Sequence, residues 1–391
     1  MSISKKIEAT ITKSSWIRKM FEQGALLKAE HGAENVFDFS LGNPNVAPPE
    51  KFNEVLKDTA AKPGTHSYMP NTGYPDVCGS IAQYLSKEQQ SDVTNKDVIM
   101  TCGAAGALNV ILKTILDPDD EVITPAPYFV EYNAYADNHR GELKTVKTNP
   151  DFTLNLEAIE SAISDKTKAV LINSPNNPTG QIYSKQSLKK LGELLDQKGK
   201  EHNRTIYLLS DEPYRKIVYD GAVVPSIFTS YKESIIATSY SKDLSIPGER
   251  LGFIAVNPDA TYKDDLLAGM ALANRILGFV NAPAFMQRVV GCLQGVSVDM
   301  SEYARKRKLL CEGLAECGYE FITPPGAFYL FPKTPIPDDV EFIKALQEEL
   351  ILAVPGSGFG GPGHFRLAFC VEDDTIINSL PAFKKVMDKY K

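Results

Sequence analysis

Apolar residues recur at helical spacing near the start of the chain: Trp16, Met20 and Leu27 form one stripe, with Ile17, Phe21 and Gly24 beside it. A helix is therefore expected from Ser15 to Lys28, with Ser14 and Ser15 as candidate caps. Val36 to Leu41 then alternates like a short strand, Gly42, Asn43 and Pro44 break it, and a second helix is expected from Pro49 to Ala61. From about Asp97 the pattern changes. Short apolar runs at Val98 to Thr101, Glu121 to Thr124, Ala169 to Asn173, Ile206 to Ser210, Ile235 to Ser239 and Gly252 to Val256 alternate with helical stretches such as Ala107 to Leu116 and Ser187 to Gln197. Alternation of that kind marks an α/β region whose mostly parallel sheet is covered by helices. The C-terminal part reads as a smaller α+β unit: a helix from Ser301 to Cys317, a strand pair around Pro325 to Tyr329, a helix from Asp338 to Leu350, two short strands, and a closing helix from Asp373 to Tyr390.

The length of 391 residues allows two to three domains by the usual rule of about 150 residues each. Lys and Arg total 42 against 49 Asp and Glu, a net charge of -7 with no basic run, so nucleic acid is a poor partner. The apolar runs are far shorter than the roughly 18 residues of a membrane span, which argues against a membrane protein. The N-terminus, from Met1 through Lys5 and Lys6 to Arg18, has no apolar leader core, and a cytoplasmic protein is expected. Six cysteines without a C-x-x-C and five histidines without an H-x-x-x-H give no metal site and no disulfide framework.

Two motifs match by letters and fail by context. Gly356 to Gly361 satisfies G-x-G-x-x-G, but Pro362, Gly363 and the strand-like His364 to Cys370 follow where a dinucleotide site needs a helix. It is expected to be a glycine-rich connection between strands. Ser239-x-x-Lys242 resembles the serine acyl-enzyme signature, yet S-D-N and K-T-G are absent.

Chemistry gathers instead at the expected C-terminal ends of strands, where α/β sheets bind ligands. Thr101 to Ala107 leads from a strand into a helix through Gly103, Ala104 and Ala105, small residues that let backbone N–H groups approach one phosphate. Asn173 to Gly180 is a polar loop carrying Asn176-Asn177-Pro178-Thr179-Gly180. Asp211 ends the run before Tyr214, and a carboxylate there needs a cationic partner. Lys242 follows Ser239 as a candidate nucleophilic amine, and Arg250 in Gly248-Glu249-Arg250-Leu251-Gly252 is a candidate phosphate clamp.

Taken together, the runs N-N-P-T-G, S-D-E-x-Y, S-x-S-K and G-x-R-x-G resemble, in order, the class I/II aminotransferases, fold type I pyridoxal 5'-phosphate (PLP) enzymes related to aspartate aminotransferase. The resemblance extends from Gly42 to Arg366. It implies an α/β large domain with a mostly parallel seven-stranded sheet sandwiched by helices, plus a smaller α+β domain. By it, residues 1–14 form an N-terminal arm, 48–295 the PLP-binding domain, and 15–47 with 296–391 the small domain. The implied reaction is ping-pong transfer of an amino group from an L-amino acid to a 2-oxo acid, by family habit 2-oxoglutarate, through a Lys242 Schiff base. Lys242 would also move protons, Asp211 would pair with the pyridine nitrogen, Tyr214 and Asn177 would bond the ring oxygen, and Phe129 would stack on the ring. Gly103, Ala104, Ala105, Ser239 and Arg250 lie where the family holds the phosphate. Tyr68, in Tyr68-x-Pro-x-x-Gly73, matches the tyrosine that reaches a neighbouring subunit's phosphate, which implies a homodimer. Arg366 matches the arginine that forks onto the substrate carboxylate, with Gly42 and Asn177 close to that group.

Ala105 stands where many aspartate-type relatives carry a lysine for a distal carboxylate, which puts dicarboxylate recognition by that route in doubt. Arg275 is near a region that supplies such a cation from the partner, but a solvated surface arginine is the simpler reading. A C–S β-lyase or another fold type I PLP enzyme would use the same Lys242, Asp211 and Arg366. A PLP-sensing transcription regulator needs a fused DNA-binding domain, which is not expected in the roughly forty residues before Gly42, and a nicotinamide dehydrogenase is a third alternative that absorbance from bound PLP, with no response to nicotinamide, would dispose of.

Overall fold

Twelve strands form among the described residues of the computed structural model, residues 3–12 and 16–390. The candidate caps Ser14 and Ser15 lie outside the described residues. In chain order the strands are β1 (Phe37–Asp38), β2 (Val98–Thr101), β3 (Glu121–Ala126), β4 (Glu142–Lys147), β5 (Thr167–Asn173), β6 (Tyr207–Asp211), β7 (Ser234–Ser239), β8 (Gly252–Val256), β9 (Tyr329–Leu330), β10 (Ile351–Leu352), β11 (Val354–Pro355) and β12 (Phe365–Ala368). Strands β2 to β8 make a seven-stranded sheet in the order β2-β8-β7-β6-β5-β3-β4. Its pairings are parallel from β7 through to β4, and β8 runs antiparallel to both of its neighbours. The expected mostly parallel seven-stranded sheet is therefore present.

Successive strand residues point to opposite faces, and here both faces are apolar. Ile99, Val122, Leu171, Leu209 and Ile254 pack with the helices Gly103–Ile115 and Lys263–Ile276. Met100, Ile123, Ile172, Leu208 and Ile236 share a second core with the helices Pro75–Gln89, Lys185–Glu201 and Ala284–Gly291. A third core is rich in aromatics, among them Phe39, Tyr303, Phe328, Phe342, Phe365 and Phe383. It lies against the three-stranded antiparallel sheet β11-β12-β9 and the parallel pair β1-β10, which sets Phe37 and Asp38 beside Ile351 and Leu352.

Several elements differ from expectation. The strand expected over Val36 to Leu41 is only Phe37–Asp38, because the Asp38 carboxylate accepts from both the N–H and the hydroxyl of Ser40 and turns the chain. The expected strand pair near Pro325 to Tyr329 is a single strand, Tyr329–Leu330, whose partner is β12; Ala327, at φ 56°, bends the residues before it. The helix expected from Ala107 begins at Gly103, a difference that matters for the site. The structure adds β4, a largely polar edge strand of sequence ELKTVK that carries no apolar run, and the helices Pro75–Gln89, Lys263–Ile276 and Ala284–Gly291. The glycine-rich run holds a short 3-10 turn, Gly356–Phe359, linking β11 to β12 as expected. Among the described residues no helix is long and apolar enough to cross a membrane, and no cluster could hold a metal ion.

Candidate active site

Because β2, β3, β5, β6 and β7 run the same way, their C-terminal ends share one edge of the sheet. The reversed β8 begins at that edge: Gly252 is opposite both Thr101 and Ser239, so Arg250 enters beside the ends of β2 and β7. A cleft of about 360 Å³ opens there, lined by Gly42, Ala104, Ala105, Phe129, Asn177, Asp211, Tyr214, Ser239, Lys242, Arg250 and Arg366. Gly103 stands just behind; a methyl group on it would come within 3.0 Å of the Arg250 guanidinium. Two residues are not brought in by this chain. Tyr68 is 90% exposed and outside the cleft, and Arg275 is exposed and does not line it.

Asp211, the last residue of β6, is buried, and its Oδ2 accepts from the Tyr132 hydroxyl at 2.5 Å while Oδ1 has no partner. Burial pushes this carboxyl up to about 7; the Tyr132 hydrogen bond works against the rise and the neighbouring Glu212 adds to it. A cationic N–H donor is what the free oxygen lacks. Asn173 fixes the loop beside it: its Nδ2 donates to the Asp211 carbonyl at 2.8 Å and its Oδ1 accepts from the Asn177 N–H at 2.6 Å.

Lys242 projects from the turn after β7. Its Nζ donates to the Gly42 carbonyl at 2.8 Å, and no carboxylate pairs with it among the described residues. Burial pulls the ammonium down to about 8, and the Arg366 and Arg250 charges act in the same direction. Since only the neutral amine attacks a carbonyl, addition of Lys242 to an aldehyde is expected to quicken as pH rises towards about 8 and to level off above it. Stopped-flow absorbance across a pH series checks this, and a rate still climbing into the ordinary lysine range contradicts it.

Arg366, on β12, is 2% exposed, yet no carboxylate faces it among the described residues. Its Nη1 donates to Asn177 Oδ1 at 3.1 Å and its Nη2 to the Ser40 carbonyl at 2.5 Å, while Nε has no partner. The rings of Tyr329 and Phe359 lie 4.7 Å away. The Tyr214 and Tyr329 hydroxyls are 2.9 Å apart, and burial holds both phenols well above their usual range. A side chain at Gly42 would collide with the Tyr329 hydroxyl, which explains a glycine there.

At the other end of the cleft, the helix Gly103–Ile115 starts without a side-chain cap, so its first N–H groups point free at the space beside Ser239 and Arg250. Arg250 sits at φ 53° after a short 3-10 turn and is steadied by its bond to the Pro247 carbonyl at 2.8 Å. Sequence reasoning missed Tyr132, Tyr329 and Asn173. Tyr132 and Tyr329 lie in no motif that marks them; Asn173 could have been found as the polar end of an apolar strand.

An amine without an acid, a buried carboxylate with one open oxygen, and a bare helix start beside an arginine fit PLP, and on this sheet they define a fold type I PLP enzyme. Comparison with known proteins narrows the class. Residues 34–381 match the family model for aminotransferase class I and II, and the chain belongs to that family. It is 31% identical over 360 residues to a probable aspartate aminotransferase of Methanocaldococcus jannaschii, covering 90% of this chain and 93% of that one. It is 30% identical over 365 residues to the aspartate/prephenate aminotransferase of Thermus thermophilus, covering 90% of each. An amino transferase from Eubacterium rectale has the same fold at a TM-score of 0.97, with 38% identity and 100% of both chains covered. The protein is thus a PLP-dependent aminotransferase.

Proposed function

We propose that this enzyme takes the amino group from an L-amino acid and passes it to 2-oxoglutarate in a ping-pong cycle at one site. The observation that carries the reading is the buried Arg366 guanidinium, which has neutral partners and an open Nε. Burying such a charge is costly unless an anion arrives, and the carboxylate shared by amino acids and 2-oxo acids is the fitting one. When bound, PLP supplies an electron sink for negative charge at the substrate Cα. Asp211 Oδ1 would pair with a protonated ring nitrogen, and Tyr132 keeps that carboxylate oriented. Lys242 Nζ would carry PLP and would hold and move a proton at the substrate Cα; a pKa near 8 suits both tasks. Tyr214 and Asn177 would hold the ring oxygen, and Phe129 would cover the ring face. The Gly103-Ala104-Ala105 helix start, Ser239 and Arg250 take the phosphate. Gly42 and Asn177 complete the carboxylate site.

The exposed Tyr68, with Leu272 and Ile276 also exposed, supports a homodimer in which Tyr68 meets the second copy's phosphate. Six free cysteines support a reducing, cytoplasmic setting. An aromatic core built mostly from residues 20–39 and 298–387, into which Phe152, Tyr214, Ile217 and Tyr219 also pack, supports a small domain of 15–47 with 296–391 beside a large domain of 48–295, with 1–14 as an N-terminal arm by the resemblance alone.

The test is the visible spectrum of the PLP-loaded protein with single L-amino acids and no oxo acid. The expected result is conversion to the pyridoxamine form by a donor and its reversal by 2-oxoglutarate. Persistence of the PLP spectrum while oxo acid and ammonia accumulate would instead establish the lyase reading.

A further inference from the structure

Three residues that line the cleft at the end of β6 and on the turns after β6 and β7 are followed by charged residues that line a second cavity. Glu212 follows Asp211, Arg215 and Lys216 follow Tyr214, and Asp243 follows Lys242. These four, with Tyr84 and Glu88, line a small cavity of about 40 Å³ on the far side of the cleft wall. Arg215 Nη1 lies 2.9 Å from Glu212, and its Nε lies 3.5 Å from Glu88. Lys216 Nζ lies 2.9 Å from Asp243 Oδ2, with the Tyr84 ring 4.9 Å away. Lys216 also donates to the Val296 carbonyl at 3.5 Å, and the Asp243 carbonyl accepts from the Val298 N–H at 2.7 Å.

We propose that the Lys216–Asp243 ion pair is a positioning pair for Lys242, tying the turn that carries the reactive amine to the turn that carries Tyr214. The proposal rests on the reading of Lys242 as the PLP-bearing residue. Three observations support it. Both partners are largely buried, at 18% and 9% side-chain exposure, and a buried ion pair is weak evidence for a stabilising role, since apolar replacements often do as well. Asp243 Oδ1 is left without a partner, a cost that an arrangement selected for stability alone would avoid. The cavity shows that close packing does not fix these side chains, which leaves the ionic contact and the 296–298 segment to do so. Asp243 is the residue next to Lys242, so any slip of its backbone is passed directly to the amine.

Lys216→Met keeps the length of the side chain and removes its charge. In this variant the apoprotein is expected to capture PLP more slowly, and the visible circular dichroism of the bound cofactor to change. Its kcat is expected to fall about tenfold or more, because small misplacements of a reacting group are costly, while KM for the amino donor stays within about twofold. Lys216→Arg restores most of kcat. Asp243→Asn gives the same signature, and the double variant is no worse than either single one, as when a single contact has been removed twice. Wild-type kcat and dichroism, or single losses that simply add in the double variant, overturn the proposal. If Lys216→Met does not fold, Asp243→Asn and Lys216→Arg are judged by the same readouts. Lys242→Ala, run alongside, separates the two claims: if it still shows covalent PLP absorbance, the reading of the site itself has failed, whereas a normal Lys216→Met beside a blank Lys242→Ala defeats the positioning pair alone.

Discussion

Arg366→Leu is expected to lower kcat/KM for every amino donor and oxo acid by roughly a hundredfold or more, because removing one partner of a buried charge pair costs about 3 kcal/mol. The loss should be uniform across substrates, since the carboxylate at issue is common to all of them. The visible absorbance of bound PLP should survive, because on the proposed reading the cofactor would be held from the Gly103 and Lys242 end of the cleft. Arg366→Lys is expected to recover little: one ammonium cannot reach Asn177 and Ser40 together and still present a fork. Steady-state kinetics with two chemically different donors and a spectrum of each variant check this. An unchanged kcat/KM would remove Arg366 from the substrate site.

Lys242→Ala should have the larger effect on chemistry and the smaller one on folding. Turnover and the absorbance of covalently held PLP are expected to vanish together, since no other lysine lines the cleft. The fold should remain. The side chain gives up a single hydrogen bond, to Gly42, and a desolvated ammonium is no asset to stability. Thermal unfolding of the apoproteins, compared with turnover, separates these effects. Retained wild-type activity would refute the assignment.

Residues in contiguous motifs after apolar runs are legible in the sequence, because a buried parallel strand reads as a short apolar run and the polar residues that follow it mark its C-terminal end. Asp211, Tyr214, Asn177, Lys242 and Arg250 all belong to such motifs, and all meet in the cleft. Tyr132 and Tyr329 were not legible: each joins the site through a hydroxyl contact with a residue far away in the chain, Asp211 and Tyr214 respectively. No spacing encodes such a contact. Helix starts were misplaced for a related reason. Gly103 is a poor helix former and Ala104 and Ala105 add no apolar stripe, yet Gly103 opens the helix at φ 72°, with the Arg250 guanidinium 3.0 Å from where a Cβ would stand. The polar edge strand β4 was missed because its one covered face gives a weaker pattern than the buried strands do.

The antiparallel entry of β8 has a consequence for the energetics of cofactor loading. The segment from Ser239 to Gly252 begins and ends on paired residues, and its neck is closed once more where the Tyr240 N–H meets the Leu251 carbonyl at 3.0 Å. Within this closed ring, Ser245 is fastened to the Val46 carbonyl at 2.5 Å and Asp243 to Val298. Ser239, Lys242 and Arg250 thus ride on a loop whose closure entropy is already spent when the sheet folds. An incoming cofactor need not order it, so the affinity of the empty protein for PLP is not taxed by loop immobilisation, and the ring should hold its shape through repeated loss and regain of the cofactor.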